Sequence, residues 1–131
     1  MDEIFINGKK FQTKVAITEE EQRLGLMHQA WPPPVMVFAY SKSAPRRFWM
    51  KNTISPLDIV FCNDNKIIKI LKGEPLSTTM VGPNEPSNLV VELPYGTCQE
   101  HGFKRGHNIF FKPSIKTLAQ ILHTNLTSFS S

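Results

Sequence analysis

Two carboxylates stand on otherwise apolar runs of this chain, Asp58 in Leu57-Asp58-Ile59-Val60-Phe61 and Glu92 in Leu89-Val90-Val91-Glu92-Leu93. A carboxylate carried into an apolar interior needs hydrogen-bond donors or a cation. A pair of them could share a proton, bind a cation, or clamp a ligand's hydroxyl or ammonium. Immediately before Asp58, Phe48-Trp49-Met50-Lys51-Asn52-Thr53 supplies a flat aromatic face suited to a sugar, base or cation, together with one ammonium and one amide. Trp49, Lys51, Asn52, Asp58 and Glu92 are therefore the expected ligand-binding residues, and none is assigned a catalytic step. The competing reading is structural. Asp58 would bond backbone amides near the Pro56 corner, or pair with Arg46, Arg47, Lys51 or Asn52, and Glu92 would pin the Pro94-Tyr95-Gly96 turn.

Cysteine and histidine suggest a second chemistry. Cys98-Gln99-Glu100-His101 has ligand-like spacing and His107 follows closely, but a tetrahedral zinc site needs a fourth ligand such as His28 or Cys62. No metal and no cofactor is expected. Cys98 with His101 or His107 lacks any mark of an oxyanion site, so nucleophilic catalysis is not assigned. The two cysteines are expected to be reduced thiols.

The elements that must position these residues are mostly strands. Ile4 to Phe11 reads as a hairpin turning at Asn7-Gly8, a pair that tolerates the positive φ angles of a type I′ turn. Thr18 with Glu21 forms a capping box. Glu19, Glu20 and Glu21 in the first turn predict a short helix whose Leu24 and Met27 face the core, with Gly25 permitting close approach to a strand. Trp31-Pro32-Pro33-Pro34 predicts a stiff crossing with Trp31 folded onto the core, feeding a strand over Val35 to Tyr40. Phe48 to Phe61 reads as two extended segments joined at Ser55-Pro56. Leu57, Ile59 and Phe61 then oppose Asp58, Val60 and Cys62. Asp64-Asn65-Lys66 turns into Ile67 to Leu71, and Gly82 to Asn88 is a long loop before a strand over Leu89 to Leu93. Ser114 caps an amphipathic helix with an apolar stripe of Ile115, Leu118, Ala119 and Leu122, expected to pack on the body of the protein; Thr124 to Ser131 reads as a mobile polar tail.

At 131 residues and 40% hydrophobic content the chain suits a single domain with a real core. The net charge of +4 is scattered over several small clusters, so a solvated surface is expected and a nucleic-acid partner only weakly indicated. No apolar run reaches membrane length, so no membrane partner is expected. Met1-Asp2-Glu3-Ile4-Phe5 lacks the basic start and apolar core of a secretory signal, which predicts a cytoplasmic location, with a phage particle as the other possibility.

The central signature Phe48-Trp49-Met50-Lys51-Asn52-Thr53 followed by Pro56-Leu57-Asp58-Ile59 resembles the domain of unknown function 192 family. Thr18, Glu21, Gly25-Leu26-Met27 and Val35-Met36-Val37-Phe38 match upstream; Ile67 to Ile70, Pro75, Val90 to Gly96, Gly102 and Gly106 match downstream, so the resemblance covers about residues 11 to 112. It implies a mainly β, single compact β-barrel or β-sandwich domain with one short helix, found in bacteria, archaea and phages. It implies no activity, because that family has none established. His28 stands where the family usually has Arg, Pro33-Pro34-Val35 replaces a glycine-containing loop, and His107 stands in place of Asp; any chemistry using that Arg and Asp is absent here.

The expected organisation is a β domain over 1–112 and a C-terminal helical extension and polar tail over 113–131. The leading functional expectation is a non-catalytic binding or interaction module with an unknown protein or small-molecule partner. Two alternatives stand beside it: a small-ligand or hydrolytic enzyme using Asp58, Glu92 and Lys51, and a phage or nucleic-acid-associated accessory protein using Arg46, Arg47, Lys51 and Trp49 or the C-terminal helix.

Overall fold

Residues 1–130 are described by a computed structural model, with side chains through residue 124. Two sheets and three helices make up the described chain. The smaller sheet has the order β2-β1-β8, from strands β1 (Glu3–Ile6), β2 (Lys9–Gln12) and β8 (Ile109–Lys112). The larger has the order β3-β4-β7-β5-β6, from β3 (Lys14–Ala16), β4 (Met36–Ala44), β5 (Leu57–Asn63), β6 (Lys66–Gly73) and β7 (Ser87–Pro94). Helix α1 spans Glu19–Leu24, α2 Thr97–His101 and α3 Ile115–Ser130. The arrangement is sandwich-like, and neither sheet of the described residues closes into a barrel.

Turn chemistry explains the two tight hairpins. Asn7 and Gly8 have φ of 47° and 83°, and Asp64 and Asn65 have 49° and 64°; both pairs adopt the doubly left-handed geometry that matches strand twist. The first hairpin pairs Ile6 with Lys9, as the sequence predicts.

Strand β5 is buried through Cys62, and its two faces feed two cores. On one side Val60 and Cys62 pack with Val37, Val91 and Leu93 against Ile4, Ile6 and Ile109 of the smaller sheet. On the other, Leu57, Ile59 and Phe61 pack with Phe38, Val90, Leu26 and Met50. Among the described residues, no second sheet covers that side. The cover comes from loop residues around Phe48, Met50 and Val81 and from the chain leaving α1.

Several expectations are corrected here. The first half of the central signature is a loop rather than an extended strand: Phe48 makes one isolated bridge to Val81, and regular pairing begins only at Leu57. Alternation lasts through Met50, which is buried, and fails at Asn52, whose φ is 56°. Helix α1 does carry its capping box, but it buries none of its own residues; Leu24 is exposed and Leu26, past the Gly25 cap, enters the core instead. Trp31 is exposed rather than folded inward, while Pro33 is buried.

Helix α3 is capped as predicted, with Ser114 Oγ accepting from Thr117 N at 3.1 Å. Asp2 adds a second tie, its carboxylate accepting from Ser114 N at 2.8 Å and from Thr117 Oγ1 at 3.0 Å. The helix turns Thr117 inward and leaves Ile115, Leu118, Ala119 and Leu122 exposed, the reverse of the packing expected for that stripe. Its backbone continues through Ser130, across most of the segment read as a polar tail; Ser131 lies outside the described residues.

The loop cover is held at Phe48 and Val81 by reciprocal backbone hydrogen bonds of 2.8 Å, and Gly82 follows where the chain passes against Arg46. A Cβ on Gly82 would lie 1.9 Å from the Arg46 carbonyl oxygen, which is backbone and cannot swing aside. Gly82→Ala is therefore expected to destabilise the protein by about 3 kcal/mol, read as a lowered denaturant midpoint. An unchanged midpoint would show that the bridge does not constrain the fold.

Candidate functional site

Asp58 and Glu92 sit on opposite faces of the larger sheet. Across β5 and β7, Asp58 pairs with Leu93 and Ile59 pairs with Glu92, and paired residues share a face. Asp58 therefore belongs with Val60 and Leu93 toward the smaller sheet, and Glu92 belongs with Ile59 and Val90 under the loop cover. The sheet itself separates the two acids, so they cannot share a proton or a ligand.

Asp58 is satisfied internally. Its Oδ2 accepts from Gly96 N at 3.1 Å and Cys98 N at 2.9 Å, closing the turn that opens α2. Cys98 lies buried beside it, and burial together with the Asp58 charge pushes the Cys98 thiol up to about 12. Burial, reinforced by Cys98, also raises the Cys62 thiol. Both cysteines are protonated, unpaired and enclosed. His101 stacks on Phe103 at 5.3 Å and meets Phe11 edge-on, while His107 Nδ1 accepts from Lys104 N at 3.2 Å. These histidines serve local packing and turn closure.

Glu92 has the opposite character. It is 4% exposed and accepts no hydrogen bond from the described residues, and burial alone raises its carboxyl to about 8. It lines a cleft of about 250 Å³ between the end of α1, strands β4 and β7, and the loop from Arg47 to Thr53. Gly25 stands over the carboxyl: a Cβ there would come within 3.8 Å of Glu92 Oε1 and 3.6 Å of Phe38. With φ of 48°, Gly25 also takes a conformation that L side chains rarely adopt. Phe38, Tyr40, Phe48 and Trp49 supply aromatic surface, and Phe48 packs edge-on to Phe38 at 5.0 Å. Tyr40 is raised to about 12, chiefly by burial, and Arg46 lies 3.7 Å above its ring.

Among the described residues, Arg23 and Arg47 are the charged residues that join Glu92 in lining this cleft. Arg47 donates to Asn84 Oδ1 at 2.8 Å and to the Pro83 carbonyl, whereas Arg23 has no polar partner among the described residues. A second cleft of about 320 Å³ adjoins the first, sharing Arg23, Leu24, Met27 and Trp49 and adding Glu20, Lys51 and Asn52. Lys51 Nζ lies 5.2 Å over the Trp49 ring, and Trp49 is 38% exposed. Four of the five expected site residues thus border one two-part groove: Glu92 in the inner part, Trp49 at the junction, Lys51 and Asn52 outside. Asp58 does not.

Sequence reasoning did not single out Arg23 or Tyr40 for the groove. Arg23 sits in the last turn of a capped helix, where a cation also suits the helix dipole, and nothing marks it for a ligand. Gly25 carried a legible signal, since a glycine between two apolar residues at a helix end implies close approach.

Fold and groove together define a small sandwich-like β domain in which the buried acid Glu92 lines a cleft. The chain belongs to the DUF192 family, "Uncharacterized ACR", which it matches over residues 3–111, including the N-terminal hairpin. It is similar to a solved protein of unknown function from Novosphingobium aromaticivorans DSM 12444, at 28% identity and a TM-score of 0.76, covering 82% of this chain and 83% of that one. It is also similar to a Sinorhizobium meliloti 1021 structure named "putative transcription regulator", at 28% identity and a TM-score of 0.76, covering 85% of this chain and 94% of that one. No curated relative matches the chain at a significant level. Among the described residues, no helix is long and apolar enough to cross a membrane.

The two acids should respond differently to substitution. Asp58→Ala leaves two buried N–H groups without an acceptor and is expected to lower stability by about 3 kcal/mol in chemical denaturation. For Glu92, the folded carboxyl keeps its proton up to about 8, whereas the unfolded one loses it near 4.5. Glu92 therefore weakens folding progressively as pH rises through that window, and no further above it. Relative to wild type, Glu92→Gln should gain about 3 kcal/mol of stability between pH 5 and 8, measured by urea unfolding across pH. Parallel pH profiles for the two proteins would refute the raised carboxyl.

Proposed function

We propose that this protein is a binding module that takes a small ligand into the groove beside α1, with Glu92 as its inner polar anchor and Trp49 as its aromatic wall. One observation carries the reading. A buried carboxyl without a hydrogen-bond partner lowers stability, and this one lines an open cleft instead of being sealed in the core. A structural role would give it internal partners, as Asp58 has. Gly25 leaves space over the carboxyl, and the loop around Trp49 is pinned well enough to keep a defined shape: Met50 N donates to Ser77 O at 2.9 Å, Leu76 N to Thr53 O at 2.9 Å and His28 N to Asn52 O at 2.8 Å.

A preformed groove on pinned backbone favours binding over a moving catalytic lid, and the separation of Asp58 from Glu92 removes the paired-acid route to hydrolysis. The test is a fragment screen by ligand-observed NMR. Fragments are expected to bind wild type, to lose at least tenfold in affinity on Glu92→Gln and on Trp49→Ala, and to bind Asp58→Asn unchanged. Binders indifferent to both groove substitutions would place recognition elsewhere and refute the reading.

A further inference from the structure

The two parts of the groove set their charges differently. In the inner cleft the buried Glu92 carboxyl stands among Phe38, Tyr40 and Phe48, with Arg47 and Arg23 also on the lining; the outer part shares Arg23 and adds Lys51 and Glu20. Lys51 is held over Trp49 and Arg23 has no polar partner among the described residues, so both cations are available to a ligand. We propose that the ligand is dipolar: a protonated nitrogen seats on Glu92 among the aromatic rings, and an anionic group at its other end meets Arg23 and Lys51. This assignment rests on the groove being a ligand site.

The competing chemistries each leave a charge unmet. A purely anionic ligand would satisfy the outer cations but leave Glu92 buried and unpartnered. A purely cationic one would satisfy Glu92 and leave Arg23 and Lys51 of the outer part without a counter-charge. A neutral ligand would answer neither end. A metal ion in the inner cleft would find a single carboxylate, since Glu92 is the only acid lining it among the described residues. Aromatic walls around a carboxylate suit an ammonium or guanidinium, because ring faces and anion attract the same charge.

The proposal predicts a proton linkage. The other titratable or charged groups lining the cleft with Glu92 are Tyr40 from β4, Arg23 from α1 and Arg47 from the loop, while its β5 partner Ile59 is apolar. Tyr40, raised to about 12, stays neutral across the physiological range, whereas Glu92, raised to about 8, titrates there. A cationic head requires the ionised carboxylate; affinity should rise by about tenfold per pH unit below pH 8 and then level.

The probes are ω-amino carboxylates from 4-aminobutanoate to 8-aminooctanoate, each beside the alkylamine and the alkyl carboxylate of equal length. Binding is read from the Trp49 indole resonance, assigned with Trp31→Phe. One chain length is expected to bind at least tenfold more tightly than either single-ended analogue, with the stated pH profile. Glu92→Gln should abolish the preference for the amine and flatten the pH profile, and Arg23→Gln should abolish the preference for the carboxylate. Equal binding of an alkylamine or a carboxylate overturns the dipolar assignment. So does a series that does not bind while Trp49-dependent fragments do, in which case the groove remains a ligand site. If neither the series nor the fragments bind, both the assignment and the groove reading fall.

Discussion

Burial of the larger sheet on both faces is the constraint from which the rest of the structure follows. One face meets the smaller sheet, and side chains from Ile4, Ile6 and Ile109 interleave with Val60, Val91 and Leu93 as in any packed sandwich. The other face meets no sheet among the described residues. Loops must cover it, and loops carry backbone polar groups that need partners of their own. The bridge between Phe48 and Val81, the contacts of Met50 with Ser77 and Thr53 with Leu76, and the bond from Ser55 Oγ to the Gln29 carbonyl provide them. Phe48 and Met50 can then descend onto Phe61 and Ile59 as sheet residues would.

A loop cover seals less completely than a second sheet, and the gap it leaves is where Glu92 reaches toward solvent. Strand period decides which acid has this exposure. Asp58, one register position away from the Ile59–Glu92 pair, points to the other side and is absorbed into the start of α2. The same residue chemistry on neighbouring strands thus has two outcomes. One carboxylate is fixed by two amides and helps close a turn; the other is left protonated at neutral pH, at a cost in folding free energy, in contact with an aromatic-lined opening.

Much of the fold was legible in local chemistry. Asn7-Gly8 and Asp64-Asn65 announced their hairpins because left-handed backbone favours those residues, and Thr18 with Glu21 announced α1 because both side chains answer unpaired helix-end amides. The alternation of Leu57, Ile59 and Phe61 against Asp58, Val60 and Cys62 was correct. Local chemistry failed where a segment's partner was distant. Phe48 to Thr53 has strand-like composition but no neighbouring strand edge beyond one bridge, so it became a loop. Trp31 and the Ile115-Leu118-Leu122 stripe read as inward-facing because an exposed aromatic or apolar stripe needs a reason to stay exposed, yet burial depends on what lies opposite, and Thr117 takes the inward position with Asp2 there to bond it.

By itself the sequence determined the family, the mainly β class, the turns and caps, and the set of residues with chemical potential, since these depend on interactions within a few residues. The tertiary structure decided which of them meet. Strand register put Asp58 and Glu92 on opposite sides of a sheet, loop packing brought Trp49 toward α1, and the exit of α1 at Gly25 left the opening above Glu92. Each is a relation between segments far apart in the chain, set by how two sheet faces are covered and not by any local pattern.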